Sequence, residues 1–272
     1  MRGFWADEKV DALVWSQNSL IYRIAKWFES KFLIHADVVV SLTKAAVIEM
    51  KKFLYLKSRT TRFEVIPTCT NLDLFHPIEP DPDNENTNRP YFLLGHVGSV
   101  TWSHFDEVLK CFKVLRELRL DAKMLVLNNG AHAYIKERLI ANNISEKFAE
   151  VREADYSQMP HELNKLDAGI FFYKPTFSKK ATAPTKLGEF LACGIPCLTL
   201  VGAGDTGEIL ENENVGVVLQ DLTPQSQKKA LQKLLKLKED PHIKKRCIQV
   251  AQKYFSLEKG VEAYDRVYRS LN

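Results

Sequence analysis

Lys186 and Glu189 stand three residues apart in Pro184-Thr185-Lys186-Leu187-Gly188-Glu189, which reads as the opening of a helix running to Cys193 and stopped by Gly194. Proline in the first turn and glycine after the last are the preferred ends of a helix. A helix start offers unpaired backbone amides and a positive dipole end, so a lysine there opposes the dipole by about 0.3–1 kcal/mol. A bound anion accounts for that placement. Thr185 and Lys186 then hold a diphosphate, and Glu189, one turn deeper on the same face, accepts hydrogen bonds from ribose hydroxyls. An i to i+3 ion pair between Lys186 and Glu189 is the competing structural reading.

Two further segments carry ligand-binding chemistry. Gly98-Ser99-Val100-Thr101-Trp102 follows an apolar run, and its glycine allows close backbone approach while Ser99 offers a hydroxyl. Gly202-Ala203-Gly204-Asp205-Thr206-Gly207-Glu208 follows another, and Asp205 and Thr206 are candidates for a loop closing over the same ligand. A turn glycine in the first case and a plain glycine-rich connection in the second remain open alternatives. The Gly-x-Gly of the second segment follows a late strand, so it is weak evidence for a dinucleotide. Asp81-Pro82-Asp83 has the spacing of a metal-binding pair but sits in a Pro- and Asn-rich stretch without a rigid strand end, so no metal is expected.

These segments need a scaffold that brings strand ends together. From Tyr91 onward, short apolar runs alternate with amphipathic stretches, the signature of βαβ units and a parallel sheet. Strands are expected at 91–98, 122–127, 149–153, 168–173, 197–201 and 215–219. Helices fall between them, the clearest over 105–118, with Val108, Leu109, Phe112 and Leu115 at helical spacing. In such sheets ligands bind beyond the carboxyl ends of the strands, where all three candidate segments lie. The chain thus divides into a partial Rossmann-like domain over 1–75, a linker over 76–90, a complete doubly wound α/β domain over 91–255, and a C-terminal helix over 256–272 packing toward the first domain. The first domain offers only two strands and two helices, half of what such a fold needs.

Composition narrows the function classes. Of 272 residues, 45% are hydrophobic and 26% charged, which is ordinary for a globular protein. A net charge of +4 gives no case for nucleic-acid binding. Five cysteines without paired spacing fit a reducing cytoplasm, and neither a signal peptide nor an apolar span long enough for a bilayer is present. Lys228 to Arg246 holds eight Lys or Arg. It reads either as a solvated helix face or as a peripheral contact with the anionic inner face of a membrane.

Taken together, Pro184 through Pro196, Ala36-Asp37-Val38-Val39-Val40-Ser41-Leu42-Thr43, Val65-Ile66-Pro67-Thr68 and Asn71 through Pro77 resemble the retaining GT-B glycosyltransferases of family 4, which build bacterial surface polysaccharides and glycolipids. Gly98-Ser99 through Trp102 and Gly204 through Glu208 agree with that resemblance. It implies a nucleotide-sugar donor, a glycan or lipid-linked acceptor, transfer with retention, no metal or other cofactor, and Glu189 as the ribose ligand.

There are two departures. Where the family commonly has a second glutamate, eight positions before Glu189, this chain has Ala181. Residues 1–8 resemble an internal strand end facing the cleft, so the chain is expected to lack most of the acceptor domain. Arg2, Asp7 and Trp102 are then candidate cleft residues, and no residue is assigned as catalytic. The missing wall would come from a separate chain. A donor-binding subunit without activity of its own, and a nucleotide-sugar epimerase, are the alternatives.

Overall fold

The computed structural model describes residues 3–78, 89–100 and 104–271. In its larger part, β3 (Leu93–Val97), β4 (Lys123–Leu127), β5 (Ala149–Arg152), β6 (Ala168–Phe171), β7 (Cys197–Leu200) and β8 (Gly216–Leu219) form one sheet in the order β5-β4-β3-β6-β7-β8. These numbers follow the chain, in which β1 (Val38–Ser41) and β2 (Arg62–Val65) come first. Every pairing in the large sheet is parallel, with registers such as Leu94 opposite Met124 and Ala168. The chain winds outward from β3 through β4 and β5, then returns to β6 on the other side. The doubly wound sheet expected from the sequence is therefore present, with its switch point between β3 and β6.

Almost every residue of β3, β4, β6, β7 and β8 is buried, as strands covered on both faces must be. One face packs α4 (Phe105–Leu118), α5 (His132–Ala141) and α9 (Pro224–Lys238) through Leu109, Phe112, Ile135 and Leu231. The other packs α6 (Met159–Asn164), α7 (Thr185–Ala192), α8 (Thr206–Asn212) and α10 (Ile243–Tyr254) through Leu163, Phe190, Leu210 and Cys247.

The smaller part consists of α1 (Trp5–Asp11), α2 (Leu20–His35), β1, α3 (Lys44–Met50) and β2, with β1 and β2 paired in parallel. Residues from Trp5 onward are helical, which corrects the expectation of a strand end there. Asp7 and Glu8 fall in the first turn of α1, where carboxylates favour a helix. The final helix, α11 (Leu257–Arg269), lies against this part: Arg62 Nη1 donates to Ser270 Oγ at 2.6 Å, and Leu257 N to Thr70 O at 3.1 Å. No helix among the described residues is long and apolar enough to cross a membrane. The Asp81 and Asp83 pair lies outside the described residues.

Candidate functional site

At the switch point the loops after β3, β4 and β6 meet the start of α7. Pro184 occupies the position before the first residue of α7 and gives no side-chain cap, so no capping side chain takes up the first amides of α7. Thr185 is exposed. The Lys186 side chain folds back, and its Nζ donates to the carbonyl of Val97, the last residue of β3. Burial pulls the Lys186 amine down to about 8, an effect the Glu189 carboxylate partly opposes.

Lys186 and Glu189 form no direct ion pair in the structure, and their charges act on each other only at longer range. Glu189 instead lines a cleft of about 630 Å³ together with Gly98, Ser99, Asn128, Gly130, Tyr156 and Met159. Among the described residues no donor hydrogen-bonds to its carboxylate, and burial raises its pKa. An acceptor desolvated in this way is poised for a ligand hydroxyl.

Gly98 sits at φ 91°, a conformation that favours glycine, and a Cβ there would lie 3.3 Å from Lys186 Nζ. Its backbone is locked by Asn128, whose Nδ2 donates to Gly98 O at 2.9 Å while its Oδ1 accepts from Ala131 N at 2.8 Å. Beneath the loop, His96 on β3 is fully buried and shares a hydrogen bond of 3.0 Å between Nδ1 and Ile170 O on β6. Burial, helped by the charge of Lys186, lowers the His96 pKa to about 3 and keeps the imidazole neutral. Sequence reasoning missed Asn128, Tyr156 and Met159. The run Asn128-Asn129-Gly130 directly after a strand was the available signal, since such turns favour glycine and asparagine.

Several expected site residues lie elsewhere. Asp205 does not line that cleft: its carboxylate accepts from Lys44 N at 2.6 Å and Ala45 N at 2.9 Å, the first amides of α3. A carboxylate is stabilised at a helix start, and this one is used to join the two parts of the chain. Thr206 is buried in the first turn of α8. Asp7 is turned away from the cleft toward α2, accepting from Tyr22 Oη at 2.8 Å and pairing with Lys26 Nζ at 2.9 Å. Arg2 and Trp102 lie outside the described residues. Ala181 is buried in a short 3-10 turn, Ser178–Ala181, that abuts α1 and α3.

A parallel sheet with a switch-point cleft, an uncapped helix start and a desolvated Lys186 and Glu189 define a doubly wound α/β architecture with a candidate ligand site. Residues 78–254 match the family of glycosyl transferases, group 1, and the chain belongs to that family. No curated protein sequence matches.

Among solved structures the chain is similar to sucrose-phosphate synthase from Thermosynechococcus elongatus, at 17% identity and a TM-score of 0.72, covering 92% of this chain and 62% of that one. A glycosyltransferase from Rickettsia africae matches at 14% identity and a TM-score of 0.70, covering 89% of this chain and 66% of that one. Anabaena HepE, in a complex with UDP and glucose, matches at 15% identity and a TM-score of 0.64, covering 92% and 66%. The fold is the GT-B glycosyltransferase fold, and the chain spans less than two thirds of the length of these structures.

Proposed function

We propose that the cleft at the β3/β6 switch point binds a nucleoside diphosphate sugar, and that the protein transfers the glycosyl group, with retention, to a glycan or lipid-linked acceptor. The observation that carries this reading is the separation of Lys186 from Glu189. Two oppositely charged groups one turn apart leave each other unpaired, the cation behind the Gly98 loop and the carboxylate open to the cleft. In this reading the ribose hydroxyls donate to Glu189, and the diphosphate lies on the amides of Thr185 and Lys186 with the Lys186 ammonium beside it. Tyr156 and Met159 give the base an apolar wall.

Negative charge grows on the leaving diphosphate as the glycosidic bond breaks. Fixed amides and an ammonium aimed at it stabilise the transition state more than the ground state. No metal is needed in this scheme. Isothermal titration with UDP, GDP and their sugars tests it, and the UDP bound in the HepE complex makes uridine nucleotides the first probes. Absence of binding by every nucleoside diphosphate would overturn the reading.

A specific feature favours a donor-binding unit that works with further polypeptide. The face of α2 carrying Leu20, Ile24, Trp27, Phe28 and Phe32 is exposed, with Phe32 at 71% and Trp27 at 53%. Apolar rings in that arrangement mark a contact surface, and a chain covering them would complete the acceptor wall. The basic face over α9 and α10 is mainly solvated, with Lys238 and Arg246 drawn into pairs with Asp167 and Asp240. Cosedimentation with anionic vesicles tests whether it also meets a membrane.

A further inference from the structure

We propose that the large sheet carries a second ligand site at its opposite end, a basic pocket that binds a phosphate monoester. The pocket measures about 460 Å³ and lies where β3, β4 and β5 begin, since Leu93, Lys123 and Ala149, their first residues, line it. The cleft described above is built at and beyond the last residues of β3 and β4. Each of those strands has five residues, which at roughly 3.3 Å per residue puts the pocket about 15 Å from the cleft. The two sites are thus separate, and occupancy of one does not presuppose the other.

Five cations stand in the wall of the pocket, Arg89, Lys123, Lys147, Arg152 and Lys165, against the carboxylates of Glu146 and Glu150. Three of the five are held from behind. Buried Glu162 accepts from Lys165 Nζ at 2.8 Å and also from Arg152 Nη2. Asp167 accepts from Arg89 Nη2 at 2.6 Å and pairs with Lys238 Nζ at 3.4 Å. Each of these two carboxylates serves two cations, so one positive charge is left over at each.

Lys123 and Lys147 have no carboxylate partner among the described residues. Their Nζ atoms lie over rings instead, 4.2 Å from the centroid of Tyr91 and 4.7 Å from that of Phe148. An ammonium over a ring face keeps N–H bonds for water or an anion. Arg152 Nη1 is likewise without a hydrogen bond from the described residues. With Glu162, Asp167 and Lys238 included, six cations meet four carboxylates, an excess of two positive charges. A phosphate monoester carries about −1.5 to −2 at pH 7 and offers three acceptor oxygens. It matches both the excess charge and the three donors, Lys123 Nζ, Lys147 Nζ and Arg152 Nη1, whereas a single carboxylate would neutralise only half of the excess. Leu93 and Leu125 give the same wall an apolar portion, suited to the organic part of an ester. That ester is either a small phosphorylated molecule or the headgroup of a phospholipid.

Calorimetric titrations with inorganic phosphate and glycerol 3-phosphate, and cosedimentation with phosphatidylcholine vesicles containing phosphatidic acid, separate these sources. Each is run on the unmodified protein and on Lys186→Met, which removes phosphate binding at the cleft. A soluble ester that binds assigns the pocket to small molecules, and binding to the phosphatidic acid vesicles alone assigns it to the lipid headgroup. In either case Lys123→Gln combined with Lys147→Gln should weaken binding about tenfold or more, the worth of a charge-assisted hydrogen bond. Glu146→Gln, which removes an exposed carboxylate from the wall, should tighten it about two- to fivefold.

Neither lysine makes an ion pair, so the double variant should melt with the unmodified protein. If it melts early, Glu146→Gln decides alone: tighter binding supports the site, and unchanged or weaker binding overturns it. Failure of all three probes to bind at millimolar phosphate, or binding that the double lysine variant leaves unaltered, overturns the proposal.

Discussion

Raising the pH from 7 to 9 should weaken nucleoside diphosphate binding about tenfold, through Lys186. Its amine is drawn down to about 8 in the unliganded protein because its carbonyl partner, Val97, carries no full charge, and burial disfavours the ammonium. A diphosphate restores a counter-charge and raises the pKa in the complex, so binding takes up a proton wherever the free amine is neutral. About 90% of the amine is protonated at pH 7 and about 10% at pH 9, which gives the tenfold ratio, or about 1.4 kcal/mol. Titration calorimetry in buffers of different ionisation enthalpy should show close to one proton taken up at pH 9 and close to none at pH 7. The unliganded protein should move the other way. A lysine whose folded pKa lies below its unfolded value destabilises the fold at and below pH 8 and ceases to do so as pH rises toward 10.5, a gain of at most about 3 kcal/mol. A flat affinity profile between pH 7 and 9, or an unaltered one in Lys186→Met, would refute this account.

Glu189→Gln should lower nucleotide affinity about ten- to a hundredfold by removing a charge-assisted bond of about 1.5–3 kcal/mol, and the nucleoside without phosphate should suffer equally in the same titration. Lys186→Ala should instead weaken diphosphates far more than nucleosides, with a deficit that shrinks at high salt. Asp205→Asn should destabilise the chain by about 1–3 kcal/mol, since one amide at the start of α3 loses its acceptor and the other a charged one; thermal melting should show it, with the nucleotide dissociation constant unchanged. The 272-residue chain alone should bind nucleotide without measurable transfer, because proximity catalysis needs both substrates held. Robust turnover without added protein in a radiolabelled-sugar assay would contradict that expectation.

The larger sheet was legible because its elements announce themselves locally. Val108, Leu109, Phe112 and Leu115 place α4 at the residues where it is found, and the Pro184 and Gly194 boundaries place α7 within a residue at each end. Lys186 and Glu189 were singled out as candidates on the same local ground, since a lysine in a first turn is an anomaly. What failed was nonlocal. Asp205 in a glycine-rich loop has every mark of a ligand contact, but the amides it serves lie 160 and 161 residues earlier in the chain. Asp7 was claimed by Tyr22 and Lys26 on a helix whose packing no periodicity reveals. The helix at Trp5 was hidden by two aromatic residues with strand preference, and the turn at Ser178–Ala181 is too short to leave a pattern.

That short turn ties the smaller part to the start of α7. Thr43 Oγ1 donates to Lys180 O at 2.6 Å, Lys180 Nζ pairs with Glu49 at 2.8 Å, and Phe4 stacks on Phe177 with ring centroids 4.8 Å apart. Thr68 Oγ1 donates to Ala183 O at 2.8 Å, directly before Pro184. Gly204, at φ 46°, lets its loop close on the same turn, with its N donating to Lys179 O at 2.9 Å. The first amides of α7 are thus oriented by a loop whose anchors come from the smaller part, while the Lys186 side chain is anchored on β3. A displacement of α1 or α3 would carry the amides and leave the ammonium in place, changing how well the two converge on one diphosphate. In the proposed mechanism, contacts made by the smaller part therefore bear on the stabilisation of the leaving group without touching the nucleotide, which is a physical reason for the two parts to be joined by hydrogen bonds and ion pairs as well as by apolar packing.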